Sequence, residues 1–141
     1  MPRRKRPRKI VAPPVFKGYK PFGCKKDCDG EVELLYEEYE AIKLADYDLM
    51  SHHDACKLMG ISRATFARIY ESARRKIALA FVDARIIKTV YGNVYFDDNW
   101  YRCEDCDAAF TIPEPGIEMH CPVCKSDSMH LINEKEKFNN Q

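Results

Sequence analysis

The chain has 141 residues, enough for one ordinary domain or two small ones. Its 45% hydrophobic and 32% charged residues are typical of a globular protein and argue against a disordered one. The longest apolar run, residues 77–82, is much shorter than a membrane-spanning helix requires, so we expect no membrane association.

A net charge of +1 conceals strong segregation of charge along the chain. Residues 1–26 carry ten basic side chains and no acid, whereas residues 27–56 carry ten acids and one base. Residues 57–88 carry eight bases and two acids, and residues 89–141 carry four bases and ten acids. The two basic segments are therefore candidates for contact with a phosphate backbone, and the two acidic segments are not.

The cysteines indicate metal ligands in a reducing compartment. Pro13, Pro14 and Lys17 interrupt the apolar stretch that should follow the basic N-terminus of a signal peptide, so we expect a cytoplasmic protein. Seven cysteines, an odd number, fit metal ligands and leftover thiols better than a disulfide framework. We treat Cys24 and Cys28 as free thiols, with a second metal site or a redox pair as the alternatives.

The first 30 residues form a basic arm and a turn-rich linker in this interpretation. We expect the arm, which ends near Pro21, to be extended and mobile without a partner because it is rich in proline and charge. Next to a DNA-binding helix its cations can follow phosphates or enter a minor groove. These cations are Arg3, Arg4, Lys5, Arg6, Arg8 and Lys9. A solubility tail or a nuclear address is the alternative.

Helical periodicity predicts three helices within residues 31–84. The first spans about Leu35 to Asp46. The second is capped by Ser51 and stops at Gly60, and the third starts at the N-cap Ser62 and reaches Val82. One apolar stripe on the first helix comprises Leu35, Tyr39, Ile42 and Ala45; the core face of the third comprises Phe66, Ile69, Ala73, Ile77 and Ala80. We also expect Tyr36 and Phe81 to pack in the core.

The second and third helices have the sequence outline of a helix-turn-helix. Cys56 is the small residue expected where the helices cross, four positions before Gly60. The third helix is polar and basic outside its apolar face, as a helix in the major groove requires. We expect base or phosphate contacts from Ser62, Arg63, Thr65 and Arg68, and phosphate contacts from Arg74, Arg75 and Lys76. The alternative is a helical hairpin with a solvated basic face.

The segments PRRKRPRKI, FKGYKPFG, YEEYEAIKLADYD and LMGISRATFARIYESARRKIALAFV resemble the domain of unknown function 134 family over about residues 2–90. MGISRATFARIYESARRKIA is the most specific of these matches. The resemblance implies a small prokaryotic DNA-binding protein with a three-helix unit similar to region 4 of sigma factors. It places Ser62, Arg63, Thr65, Phe66 and Arg68 at the start of the recognition helix. Some relatives resemble nitrogenase cofactor-binding proteins beyond this unit, and this chain departs from them with a cysteine module.

Two C-x2-C pairs separated by fourteen residues predict a structural metal site. Their ligands are Cys103, Cys106, Cys121 and Cys124. We expect zinc, with iron and oxidised thiol pairs as alternatives, and short strands over 91–96, 100–102, 108–112 and 129–132. Gly92 and Asn93 are expected to turn the first hairpin. His120 and His130 are secondary ligand candidates.

The sequence therefore predicts a mainly α fold, in which a trihelical helix-turn-helix precedes a small β zinc ribbon. The domains are an arm and linker (1–30), a helix-turn-helix (31–88) and a four-cysteine ribbon (89–141). We expect a transcriptional regulator that binds double-stranded DNA and is not an enzyme, because no paired carboxylates, phosphate loop or open metal site occur. A protein-interaction adaptor, with the acidic ribbon as its docking surface, and a redox or metal sensor are the alternatives. A homodimer is compatible with the sequence but no heptad seam marks it.

Overall fold

A computed structural model describes residues 6–24, 30–112 and 119–133. In its N-terminal part the elements are β1 (Arg8–Lys9), β2 (Gly18–Tyr19), β3 (Glu31–Leu35), α1 (Tyr36–Ile42), a π-helical turn (Lys43–Tyr47), α2 (His52–Met59) and α3 (Arg63–Val82). In its C-terminal part they are β4 (Ile86–Val90), β5 (Val94–Tyr95), β6 (Tyr101–Cys103), β7 (Ala109–Phe110) and β8 (Met129–Leu131).

The prediction of a mainly α fold is wrong, because the three helices lie between two paired strands. β3 and β4 pair in parallel, from Glu31 opposite Ile86 to Leu35 opposite Val90, and β2 adds to β4 in the antiparallel sense. Parallel strands need a long crossover, which here contains α1, α2 and α3. Exposed and buried residues alternate along β3, which is the period of a strand, although the sequence predicts only helices within residues 31–84. The described residues form an α+β fold.

The segment before the helices is packed, so the prediction of a mobile arm is wrong for residues 6–21. β1 pairs in parallel with β5, and Arg8 N–H donates to the carbonyl of Asn93 at 2.8 Å. Ile10 is 1% exposed, and the side chains of Pro13 and Pro14 are fully buried. These prolines therefore belong to the core and do not mark the mobile arm that the sequence predicts.

The helix limits confirm the local signals in the sequence. The hydroxyl of Ser51 accepts from Asp54 N–H at the start of α2, and Gly60 ends it at φ 66°. The hydroxyl of Ser62 caps α3 in the same way. The predicted stripe on the first helix is only half-buried. The fully buried residues of α1 and the π-helical turn are instead Tyr36, Glu37, Glu38, Glu40, Ala41 and Leu44.

The larger of two hydrophobic clusters in the described residues collects side chains from distant parts of the chain, and the smaller one comprises Cys103, Phe110 and Cys121. The larger cluster joins Ile10, Tyr36 and Phe66 to Ile132, which follows the last strand. Phe81 does not contribute, contrary to prediction, and is 85% exposed. No helix within the described ranges has the length and apolar character needed to cross a membrane.

The cysteine module contains a three-stranded antiparallel sheet in the order β7–β6–β8. Its strands fall where the sequence predicts the last three short runs. The predicted hairpin at Gly92 and Asn93 is wrong, because β5 pairs with β1 and not with β4. A side chain at position 92 would overlap a carboxylate oxygen of Glu37, with only 1.8 Å between that oxygen and the added Cβ, so glycine serves a close approach here.

Candidate nucleic-acid interface and metal centre

A tight turn at Gly60 joins α2 to α3, the two helices for which the sequence predicts a helix-turn-helix. Gly60 adopts the left-handed conformation, and the N–H of Ile61 donates to the carbonyl of Cys56 at 3.1 Å. The inside of the angle is apolar and tightly packed. Its side chains, each at most 6% exposed, are Ala55, Cys56, Met59 and Phe66. Cys56 therefore occupies the buried crossing of the two helices that the sequence predicts. The start of α3 packs on apolar side chains that exclude water.

The N-terminal turns of α3 present two arginines to solvent. Arg63 and Arg68 are exposed, and no carboxylate lies within ion-pair distance of either in the part of the chain that the structure describes. Arg68 donates only to the hydroxyl of Thr65, at 3.5 Å. The hydroxyl of Ser62 caps the helix through Thr65 N–H and lies 2.9 Å from the Thr65 hydroxyl. Both hydroxyls thus order the helix terminus beside the arginines.

Of the three consecutive basic residues further along α3, Arg74 and Arg75 are exposed to solvent and Lys76 contacts the protein interior. Arg74 lies over the ring of Tyr70, with 5.4 Å between the guanidinium carbon and the ring centroid. Arg75 pairs with Glu71 at 2.8 Å on the exposed surface. Lys76 points inward, where it donates to the carboxylate of Glu38 at 2.7 Å.

In the basic arm, too, one cation is exposed and others contact groups of the protein itself. Arg6 is exposed, whereas Arg8 is 9% exposed and donates to the carbonyl of Arg6 at 3.0 Å. Lys9 pairs with Asp97 at 2.7 Å, and the hydrogen bond to this carboxylate raises the pKa of the lysine. The predicted contacts Arg3, Arg4 and Lys5 lie outside the described residues.

The structure brings the four predicted ligand cysteines together. All four Sγ atoms lie within 4.8 Å of one another, and the shortest separations are 3.4 Å for Cys103 and Cys124 and 3.5 Å for Cys106 and Cys121. A tetrahedral zinc site with bonds of about 2.3 Å would separate its sulfurs by about 3.8 Å. The donor set and its spacing therefore fit a metal ion, and none of the four forms a disulfide.

Two matching turns hold these sulfurs. In each, a backbone N–H two residues after the first cysteine donates to its Sγ at 3.4 Å: Asp105 to Cys103, and Val123 to Cys121. The residue after each second cysteine, Asp107 or Lys125, adopts positive φ. This pair of turns aims four sulfurs at one point, as a metal site with four cysteines requires.

Backbone hydrogen bonds also favour the thiolate form of Cys121 in this cluster. Burial opposes the ionisation of Cys121, but hydrogen bonds from the N–H groups of Cys124 and Val123 lower the pKa of its thiol to about 6. The N–H of Ser126 favours the thiolate of Cys124, but this thiol also hydrogen-bonds to neighbouring sulfurs, which raises its pKa to about 12. A divalent cation would favour the thiolate form of all four ligands.

The remaining candidates have other roles in the structure. His120 pairs with Asp127, and His130 lies 3.3 Å from a carboxylate oxygen of Glu104, so neither histidine joins the sulfur cluster. Cys24 is disulfide-bonded, which corrects the expectation of a free thiol, and Cys28 lies outside the described residues.

Sequence reasoning missed Arg102, which is 1% exposed inside the acidic module. Its guanidinium donates to the carbonyls of Asp107 and Pro14, at 2.9 and 3.3 Å, and to the hydroxyl of Tyr36 at 3.3 Å. The sequence offered one signal, a base next to a ligand cysteine, and Lys125 has the same position beside Cys124. That signal does not reveal acceptors 66 and 88 positions away.

Comparison with known proteins identifies the family. The model of the family described as protein of unknown function DUF134 matches residues 1–97. The chain belongs to this family. UPF0251 proteins of Chloroherpeton thalassium and Methanothermobacter thermautotrophicus are each 36% identical to it, over 92% and 94% of this chain and 85% and 69% of their own lengths. A UPF0251 protein of Caldicellulosiruptor bescii is 33% identical over 92% of this chain and 87% of its own length.

These alignments extend beyond residue 97, so similarity to the UPF0251 proteins includes the cysteine module and the helical unit. No solved structure matches the chain. The family resemblance seen in the sequence is thereby confirmed, and the function of the family is unknown.

Proposed function

We propose that this protein binds duplex DNA as a transcriptional regulator and reads the major groove with the N-terminal turns of α3. The observation that carries this proposal is the exposed pair Arg63 and Arg68, without acidic partners in the described residues, on a helix supported by the buried Phe66. Arginines so placed can form bidentate hydrogen bonds to guanine. Twenty residues make α3 about 30 Å long, and its contact with β3 includes Lys76, in the second half of the helix, which donates to the carbonyl of Glu33 at 2.8 Å.

Phosphate contacts are proposed for the cations that remain exposed. Arg74 and Arg75 follow the reading residues along α3, and Arg6 precedes β1, which contacts α2. Arg8, Lys9 and Lys76 are engaged with groups of the protein itself, and we assign them a structural contribution. The proposed interface is therefore smaller than the run of basic residues in the sequence.

We further propose that the four-cysteine site holds zinc with a structural and not a catalytic role. Four thiolates occupy all four coordination positions of a tetrahedral zinc ion and leave none for substrate or water. Neither the zinc site nor the helix surface then supplies catalytic machinery, in keeping with a protein that is not an enzyme.

Replacing Arg63 or Arg68 with alanine tests the assignment of the interface. We expect each change to weaken binding to a selected duplex by about 1–3 kcal/mol and to relax sequence preference, because a base contact is lost. Lys88→Ala is the matched control, since it removes one exposed positive charge from β4. Selection of bound fragments from random DNA would supply the duplex, with metal content measured on the same sample.

If the arginine variants, the control and the unmodified protein bind the duplex with equal affinity, the assignment of Arg63 and Arg68 as base contacts is wrong. A protein that binds no duplex even at low ionic strength would contradict DNA binding altogether, and would favour the adaptor alternative.

A further inference from the structure

The cysteine module and the DNA-binding unit are connected through the first cysteine turn. Arg102 directly precedes the ligand Cys103 and is buried against two other parts of the chain. One of its nitrogens donates to the carbonyl of Asp107, which follows the ligand Cys106. Its other terminal nitrogen donates to Pro14 and to Tyr36, the first residue of α1.

A second contact joins the same turn to the same N-terminal segment. Lys17 pairs with the carboxylate of Asp107 at 2.9 Å, and the carbonyl of Lys17 accepts from Thr89 N–H in β4 at 2.9 Å. Asp107 has φ 65°, and its N–H donates to the carbonyl of Cys103 at 3.1 Å, which closes the first cysteine turn. The position of its carbonyl and carboxylate thus depends on the turn that the cysteines form.

The N-terminal segment, residues 6–20, runs from this turn to the helix-turn-helix. We call it the strap. Pro13, Pro14 and Ile10 are buried along it, and β1 at its far end pairs with β5 and contacts α2. The exposed Arg6, a proposed phosphate contact, directly precedes this end. The strap therefore connects the metal turn to the edge of the proposed DNA interface.

We propose that metal occupancy of the four-cysteine site controls the order of the strap and, through it, affinity for DNA. The regulatory part rests on the proposed function. A small β module has too little core to maintain its turns without metal. When the first turn loosens, Arg102 and Lys17 lose their partners at Asp107, and that end of the strap is left with the pairing of β2 with β4 and the hydrogen bonds from Thr89 to the carbonyls of Phe16 and Lys17. A loosened strap must be reordered on DNA, which lowers affinity.

Hydrogen exchange of the full chain, loaded with one zinc ion and after treatment with a chelator, tests the coupling. We expect amides in residues 6–20 to exchange at least about tenfold faster without metal, while those of α2 and α3 keep most of their protection. Unchanged protection of the strap overturns the proposal. Equal loss throughout α2 and α3 also overturns it, since that result means general unfolding.

A variant separates the contacts of Arg102 from the metal itself. Arg102→Met should retain the metal, visible as the absorption bands of bound cobalt, while its strap exchanges faster than that of the unmodified protein. Lys20→Met is the matched control, because Lys20 is exposed and has no ion pair among the described residues. A cobalt-loaded Arg102→Met protein whose strap is as protected as that of the control contradicts the proposed route. If this variant does not fold, the chelator experiment still decides.

DNA affinity is measured separately in the two metal states. We expect affinity about tenfold lower without metal, because the strap must be ordered on binding. Equal affinity with a loosened strap overturns the regulatory part. Absence of binding in both states contradicts the proposed function and its regulation together, whereas the exchange experiment, which uses no DNA, still decides whether metal orders the strap.

Discussion

Three buried glutamates on α1 accept hydrogen bonds from three different segments of the chain and so connect these segments to α1. Glu38 accepts from Lys76 and from the hydroxyl of Ser72, both in α3. Glu37 accepts from Asn93 N–H at 3.1 Å, before β5. Glu40 accepts a backbone hydrogen bond from Val11 in the strap. This short acidic run, which composition suggests is solvated, is thus a central connection of the fold.

Glu40 gives a prediction for the pH dependence of stability. Burial, more than any other cause, raises the pKa of its carboxyl above the ordinary value. The folded state then binds this proton more tightly than the unfolded state, so the contribution of Glu40 to stability falls as pH rises through the folded pKa. Relative to unmodified protein, Glu40→Gln should therefore gain stability progressively as pH rises above 4.5, the ordinary pKa of glutamate.

Urea unfolding of both proteins across this pH range measures the difference in free energy of unfolding. Glu31→Gln, at an exposed position, is the control and should follow the unmodified protein. Parallel curves for Glu40→Gln and the unmodified protein would show that burial does not perturb this carboxyl.

Residues whose partners are near in sequence were predictable, and residues whose partners are distant were not. Ser51 and Ser62 cap amides three positions away, a relation that the sequence displays directly. The partner of Glu37 is 56 positions away, and those of Arg102 are up to 88. The exposed arginines of α3 were predicted for the same local reason, whereas the inward direction of Lys76 required knowledge of α1.

At the scale of elements, helices α2 and α3 were recognised and the sheet that frames them was not. Helix caps and periodicity are local signals. The pairing of β3 with β4 joins strands that are separated by the whole helical unit, and each is only five residues long. The sulfur cluster was predictable despite its longer spacing, because two C-x2-C pairs need little besides a common metal to bring them together.

Gly60 provides a prediction at this scale. Its φ of 66° is unfavourable for alanine, and a Cβ there would meet no heavy atom within 4 Å. Gly60→Ala should therefore cost about 1 kcal/mol of stability through backbone strain alone. Gly60→Asn should cost less, because asparagine tolerates this conformation better. Thermal unfolding measures both, and an alanine variant as stable as the unmodified protein would contradict the left-handed turn.

At the scale of the whole molecule, the predicted segments share the larger of two buried clusters, and the smaller cluster, formed by Cys103, Phe110 and Cys121, lies within the cysteine module. Ile10 from the strap, Tyr36 and Phe66 from the helical unit, and Ile132 from beyond the cysteine module belong to one buried cluster. Strand pairing adds to this connection, since β5 lies beside β1. The proposed division at residues 30 and 88 describes the order of motifs along the chain and leaves open whether its parts fold independently.

Cooperative unfolding tests this question. Trp100, the single tryptophan of the chain, packs against the shared cluster, and α3 supplies much of the helical signal. In metal-loaded protein, we expect tryptophan fluorescence and far-ultraviolet circular dichroism to report the same urea midpoint, because a common core unfolds as one unit. Two separated midpoints would show that the helical unit and the cysteine module unfold independently.

The position of Ile132 in this cluster has a consequence for synthesis of the protein on the ribosome. Ile10 and Ile132 are far apart in the sequence, yet they belong to the same buried cluster as Phe66 of α3. While the nascent chain emerges, its helices can form from local signals, but the support of the recognition helix stays incomplete. The surface proposed to read DNA therefore becomes firmly seated only after Ile132 has left the exit tunnel.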